Sequence, residues 1–123
     1  MSDKYTKDHE WIKMEGADTA VIGITDYAQH ALGDLVYVEL PKMGATYKKG
    51  AYFAVVESVK TAAEVYTPVS GEVVAVNDAL AKDAELLKDA KEGWIVKIKI
   101  TDQGELNGLM DKAQYDEFVK TLG

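Results

Sequence analysis

Cysteine is absent from this chain of 123 residues, which removes a disulfide framework, a thiolate metal site and a cysteine nucleophile together. Any redox chemistry must therefore be borrowed from a cofactor. Long apolar runs are missing too: no stretch approaches the roughly 18 residues of a membrane span. The first residues, Met1-Ser2-Asp3-Lys4-Tyr5-Thr6, have neither the apolar core of a secretory signal nor the arginine-rich character of a transit peptide. A cytoplasmic, bacterial protein is expected. Positive charge is in deficit, with a formal net charge of −7 and a pI near 4.8, so a phosphate backbone or an anionic lipid surface would repel the molecule. Neither nucleic acid nor membrane is expected as a partner. The acidity serves either solubility or the steering of encounters with basic protein patches, and composition does not choose between them.

Several catalytic signatures are missing as well. His9-Glu10 has no second histidine four residues on, and the two histidines lack a third metal ligand. There is no Gly-rich phosphate loop and no Gly-x-Ser-x-Gly elbow. A hydrolase or nucleotide enzyme has nothing to work with.

What is present is ordinary globular material: 47% apolar and 28% charged residues, enough for one core and one domain over 1–123. Several segments alternate apolar and polar positions with the period of two that a half-buried strand requires. In Trp94 to Ile100, Trp94, Val96, Ile98 and Ile100 share one face and Lys97 and Lys99 the other. Thr19 to Ile24, Leu35 to Leu40, Tyr52 to Val56 and Glu72 to Val76 are rich in β-branched or aromatic residues between Gly, Pro, Asn or Asp breaks. Many short strands at this spacing predict a barrel or sandwich.

Asp26 with Gln29 three residues later resembles a capping box and Gly33 a left-handed stop, which predicts a short helix over Asp26 to Leu32. Leu106, Leu109, Met110, Ala113, Phe118, Val119 and Leu122 recur at helical spacing and predict a C-terminal helix at about 105–121. Asp78 to Lys88 reads as a further helical turn capped by Asn77 or Asp78. The stretches Gly50 to Glu57 and Gly71 to Asp78 echo one another, each a Gly followed by an apolar strand containing Ala. Related strand units would put the connection between them, and Lys60 with it, at an exposed tip; chance likeness between Val-rich strands is the competing explanation.

Chemistry concentrates around that lysine. Val55-Val56-Glu57-Ser58-Val59-Lys60-Thr61-Ala62-Ala63-Glu64-Val65-Tyr66-Thr67-Pro68-Val69-Ser70-Gly71 reads as a strand, a short turn holding a lysine, a second strand and a Pro/Gly break. A lysine in a turn is ordinarily just a solvated side chain. Here Glu57-Ser58-Val59-Lys60, then Glu64 and Pro68-Val69-Ser70-Gly71-Glu72-Val73-Val74, resembles the lipoylation site of glycine cleavage H proteins and differs from the Met-Lys-Met context of biotin carriers. His9-Glu10-Trp11, Val21 to Gln29 with Leu32-Gly33-Asp34, Val38-Glu39-Leu40-Pro41 and Glu92-Gly93-Trp94 are further landmarks of that family, in its order, from about residue 5 to residue 118.

The resemblance implies a mainly β barrel-sandwich hybrid with Lys60 at a hairpin tip and helices outside. It implies a non-catalytic, monomeric carrier with lipoate joined covalently to Lys60 as N6-lipoyllysine by a lipoate-attaching enzyme. Such a carrier takes an aminomethyl group from the pyridoxal-phosphate glycine decarboxylase (P protein) and delivers it to the tetrahydrofolate-dependent aminomethyltransferase (T protein). Dihydrolipoamide dehydrogenase (L protein) then reoxidises it, so that the hard steps of glycine catabolism and one-carbon metabolism belong to the partners and cofactors. The resemblance also implies that Glu10 and Glu64 meet the amine of a loaded arm folded back on the carrier, against the plain alternative of solvated surface acids. Glu57 either aids the attaching enzyme or is strand-edge charge.

Two departures stand out. Where some relatives carry a histidine, this chain has Ala31, with His30 one position earlier, and the segment Glu85 to Gly93 is shorter and more charged than usual. Three other readings share the turn: a relay handing octanoate or lipoate to other lipoyl domains, a biotinyl carrier, and an interaction domain whose Lys60 is never modified.

Overall fold

The computed structural model describes residues 3–89 and 92–122. Among these, nine strands occur in chain order: β1 (Lys4–Tyr5), β2 (Glu10–Glu15), β3 (Thr19–Ile24), β4 (Leu35–Glu39), β5 (Thr46–Tyr47), β6 (Tyr52–Ser58), β7 (Ala62–Tyr66), β8 (Gly71–Val76) and β9 (Val96–Ile100). They form two antiparallel sheets, one of six strands in the order β1-β2-β3-β9-β8-β5 and one of three in the order β4-β6-β7. The strand pattern predicts a barrel or sandwich, and this is the mainly β barrel-sandwich hybrid that the resemblance implies.

Period-two patterning decides which side chains meet between the sheets. Ile12 of β2, Ile22 of β3, Val38 of β4, Val56 of β6, Val73 of β8 and Ile98 of β9 are all essentially inaccessible; burial of each such side chain stabilises the fold by about 1.5–3 kcal/mol. Val96, Ile98 and Ile100 face inward while Lys97 and Lys99 alternate with them, as the sequence predicts, although the strand starts at Val96 rather than Trp94. On β2, Glu10 and Ile12 are both buried. A carboxylate thus occupies a core-facing position.

The first helix, α1, covers Asp26–Leu32 as predicted, but the cap differs. Thr25, in extended conformation, accepts the Ala28 N–H, and Gln29 turns inward to donate to the Ile24 and Leu87 carbonyls at 3.1 and 3.0 Å. Gly33 ends the helix with φ 80°, its N–H on the Gln29 carbonyl. The predicted turn over 78–88 divides into α2 (Ala79–Lys82) and a 3-10 turn over Ala84–Lys88 capped by Asp83. Asn77 instead donates to the Glu92 and Trp94 carbonyls from a buried position.

A single C-terminal helix over about 105–121 is not what forms. A 3-10 turn spans Gln103–Gly108, the chain then extends, and α3 covers only Lys112–Lys120 behind an Asp111/Gln114 capping box. The interruption has a tertiary cause: Met110 exchanges both backbone hydrogen bonds with Tyr5, at 2.8 and 2.9 Å, in an isolated bridge to β1. Helical continuation through Met110 would forfeit that pairing. The echo between Gly50 and Gly71 does not extend to their backbones, since Gly50 has φ 92° whereas Gly71 is not among the glycines of positive φ and opens a strand in the other sheet.

Candidate functional site

Strands β6 and β7 form a hairpin in which Glu57 stands opposite Ala62 and the Ser58 N–H donates to the Thr61 carbonyl at 2.7 Å. Val59 and Lys60 are left as a two-residue tip. Tight two-residue connections usually need positive φ, yet neither tip residue has it. The Ser58 hydroxyl supplies the missing acceptor: it receives the Lys60 and Thr61 N–H groups at 3.3 and 3.2 Å and donates to the Thr61 carbonyl at 3.1 Å. The Val59 N–H donates to the Asp34 carbonyl at 3.0 Å, which docks the tip beside the end of α1.

Lys60 itself is exposed. None of the ion pairs found among the described residues uses its amine. Its Cε runs past Gly33, 3.8 Å from where a Cβ on that glycine would sit, in ordinary contact. Val59 is 69% exposed, a bare apolar side chain beside the lysine. Ser58, by contrast, is buried, and Glu57 is half-buried between Tyr37 and Ala62 in the sheet.

The two carboxylates singled out with Lys60 differ sharply. Glu64 is exposed and accepts the Tyr66 hydroxyl at 3.1 Å. Glu10 is only 2% exposed. One oxygen, Oε1, accepts the Thr6 hydroxyl at 2.8 Å, and the other, Oε2, accepts the Tyr66 N–H at 3.2 Å. Burial pushes its carboxyl up to about 7; the Thr6 hydrogen bond opposes the shift, Asp8 adds to it and the Tyr66 N–H again opposes it. Tyr66 therefore touches both acids, one through its backbone and the other through its ring hydroxyl.

Glu10 lines a cleft of about 220 Å³ walled by Tyr5 to Asp8, by Lys49 and Gly50, by Tyr66 to Pro68 and by Gly108 to Met110. Sequence reasoning missed Thr6 and Tyr66 as partners of Glu10. Neither left a trace in the sequence; the spacing of Glu64 and Tyr66, two residues apart on one strand face, signals only the bond between their side chains. The bridge that brings Met110 into the wall leaves no local signal at all.

The departures also find their places. His30 is exposed and bonds the Asp26 carbonyl of its own helix at 2.9 Å. Glu85 accepts the Leu35 N–H at 2.8 Å, which ties the charged segment to the start of β4 near the tip. Ala90 and Lys91 of that segment lie outside the described residues. No helix among the described residues is long and apolar enough to cross a membrane.

Comparison with known proteins agrees along the whole chain. The family model described as "Glycine cleavage H-protein" matches residues 3–122. The chain is 57% identical over 121 residues to the glycine cleavage system H protein of Beijerinckia indica, covering 97% of each. It is 54% identical over 119 residues to that of Thermus thermophilus, covering 95% of this chain and 92% of the other. The crystal structure of a glycine cleavage system H protein from Mycobacterium marinum superposes with a TM-score of 0.85 at 35% identity, covering 99% of this chain and 97% of that one.

Proposed function

The chain belongs to the glycine cleavage H-protein family, and from that premise we propose that it is the lipoyl-bearing carrier of a glycine cleavage system, with the lipoyl group in amide linkage to the Lys60 amine. The observation that carries the reading is the exposed Lys60 at a two-residue hairpin tip whose backbone is held by Ser58 and Asp34. Hydrogen bonds hold the tip backbone, and the lysine side chain stands exposed. An attaching enzyme can enclose it, and Glu57 and Val59, flanking Ser58, are the contacts offered to that enzyme.

The residues fit a swinging arm with a charged end. The bound cofactor would supply a disulfide that takes up the aminomethyl group at the P protein, gives it up at the T protein and is re-formed by oxidation at the L protein. Tethering raises the effective concentration of the load at each partner without new binding energy. Strand β7 runs from the tip to the cleft, its Tyr66 about 13 Å along the strand from Ala62 at ~3.3 Å per residue.

Glu10 sits at the cleft end. Its carboxyl holds a proton readily near pH 7 because it is buried. An arriving ammonium favours the ionised form, so Glu10 gives up that proton to accept the cation, while an arm without an amine gains nothing there. Thr6 and the Tyr66 N–H keep both oxygens oriented through the exchange. Glu64 meets the cation first, in solvent, where the interaction contributes little.

Intact mass of the protein from cells with working lipoylation tests the attachment: one lipoyl addition is expected on the wild type and none on Lys60→Arg, which keeps the fold. Glycine-dependent carbon dioxide exchange with the decarboxylase tests the role, and exchange supported by Lys60→Arg would overturn the assignment.

A further inference from the structure

The connection between β1 and β2 contains one residue whose backbone and side chain make opposite demands. Lys7, Asp8 and His9 form a three-residue loop closed by the Thr6 N–H on the Glu10 carbonyl at 3.0 Å and the His9 N–H on the Thr6 carbonyl at 3.2 Å. The third position of such a loop takes the left-handed conformation that glycine adopts at least cost. Here it is His9, with φ 69°, the only non-glycine residue of positive φ among the described residues. Backbone preference alone does not account for a histidine there.

Its ring does. Nδ1 lies 2.8 Å from the Tyr115 hydroxyl of α3, and that hydroxyl lies 2.7 Å from Thr25 Oγ1, the cap of α1. The imidazole also packs tilted against Tyr27 of α1 at 4.4 Å between ring centroids, and against Phe118 of α3 at 6.0 Å. The Thr25 N–H donates to the His9 carbonyl at 2.9 Å. Both helices thus converge on the residue immediately before Glu10. Across the same loop, the Thr6 hydroxyl accepts the Glu10 N–H at 3.1 Å and donates to its carboxylate.

We propose that His9 is a positioning residue for Glu10: its ring, clamped by Tyr115 and Tyr27, fixes the loop so that Thr6 and Tyr66 hold the carboxyl in the cleft that receives a cationic arm. The C-terminal segment acts on the cleft twice, since Gly108 to Met110 form a wall and Tyr115, a turn further on, sets the loop opposite. The proposal rests on the reading of Glu10 given above.

His9→Gly, Tyr115→Phe and the double variant test it in the full chain. Tyr115→Phe keeps the ring that stacks on Tyr5 at 4.9 Å and removes only the hydroxyl, so folding is retained. The first readout is the titration midpoint of the Glu10 carboxyl, followed by carbon-13 NMR in unmodified protein. The second, in lipoylated protein, is the lifetime of the aminomethyl load, which water removes as formaldehyde and ammonium while the thiol is restored. Each single variant is expected to move the Glu10 midpoint by about half a pH unit or more toward the ordinary carboxylate range, as a carboxyl released toward solvent would. Each should also shorten the lifetime about threefold, with the double variant no worse than the worse single because both break one linkage.

Unchanged midpoints and lifetimes with a lowered melting temperature would overturn the proposal, leaving His9 as a brace. A raised melting temperature in His9→Gly with both readouts unchanged would overturn it as well, because the backbone would then be all that matters there. Glu10→Gln separates the two readings. If it leaves the lifetime unaltered, the cleft reading falls, and the midpoint, which needs no arm, still decides whether His9 positions Glu10.

Discussion

The Ser58 hydroxyl and Thr61 bond each other in both directions, the hydroxyl donating to the Thr61 carbonyl at 3.1 Å and accepting the Thr61 N–H at 3.2 Å. Because that hydroxyl also receives the Lys60 N–H, the backbone carrying the lysine is shaped by its neighbour's side chain. Ser58→Ala leaves these tip N–H groups without a protein acceptor, an expected loss of about 1–2 kcal/mol. Urea denaturation reads that loss, and intact mass should show a smaller lipoylated fraction at equal expression. A fully lipoylated variant would mean that the attaching enzyme does not need the tip preset.

Glu57 allows a contrasting test. It stands opposite Ala62 at the base of the tip and is half-buried. Glu57→Gln preserves its shape, so a melting temperature within a degree or so of the wild type is expected, with slower lipoylation by the purified attaching enzyme. Equal rates would reduce Glu57 to strand-edge charge.

The buried Glu10 carboxyl makes the stability of the fold depend on pH. Its folded value, about 7, lies above the unfolded 4.5, so the folded state binds the proton more tightly. The stabilisation is fully present below pH 4.5 and is lost as pH rises through 7, where ionisation in the cleft costs roughly 3 kcal/mol. Wild-type stability should therefore fall between pH 5 and pH 8 relative to Glu10→Gln, whose amide does not ionise. Parallel stability curves for the two proteins over that window would contradict the assignment. Loaded carrier should show the opposite preference, retaining its load longer at pH 8 than at pH 6.

Gly71 is constrained by contact. Its backbone lies so close to β9 that a Cβ would fall against the Lys99 carbonyl oxygen, 2.5 Å from Ile98 Cγ2 and 2.9 Å from the Lys99 carbonyl carbon. Backbone on one side and a core side chain on the other cannot yield cheaply. Even Gly71→Ala should lose about 1–3 kcal/mol, and Gly71→Val more, in chemical denaturation. A variant as stable as the wild type would show that β8 can lift from β9 without loss.

The strand Thr19–Ile24 and the helix Asp26–Leu32 are legible to the residue because their pattern is local: an apolar, β-branched run between breaks in one case, a capped start and a terminating glycine in the other. The helix cap is Thr25 rather than Asp26, because Thr25 offers the extended backbone that a cap needs and Asp26 already lies in the helix. The C-terminal helix was overextended because helical spacing continues through Leu109 and Met110, where pairing with Tyr5 decides otherwise. For the site, Lys60 and its motif could be read directly. The role of Glu10 could be named only through family resemblance, and its burial could not be read at all.

What the sequence determined alone was most of the strands, though not β1, β2 or β5, the absence of cysteine, and a lysine in a turn between two apolar runs, because each of these is fixed by residues adjacent in the chain. Tertiary structure decided which carboxylate is buried and what holds it. Thr6 and Glu10 flank one loop, whereas Tyr66 and Met110 come from two distant segments, and His9 meets Tyr115 across 106 positions of sequence. Desolvation and hydrogen-bond geometry depend on what lies nearby in space, and that proximity exists only once the two sheets have closed over their common core.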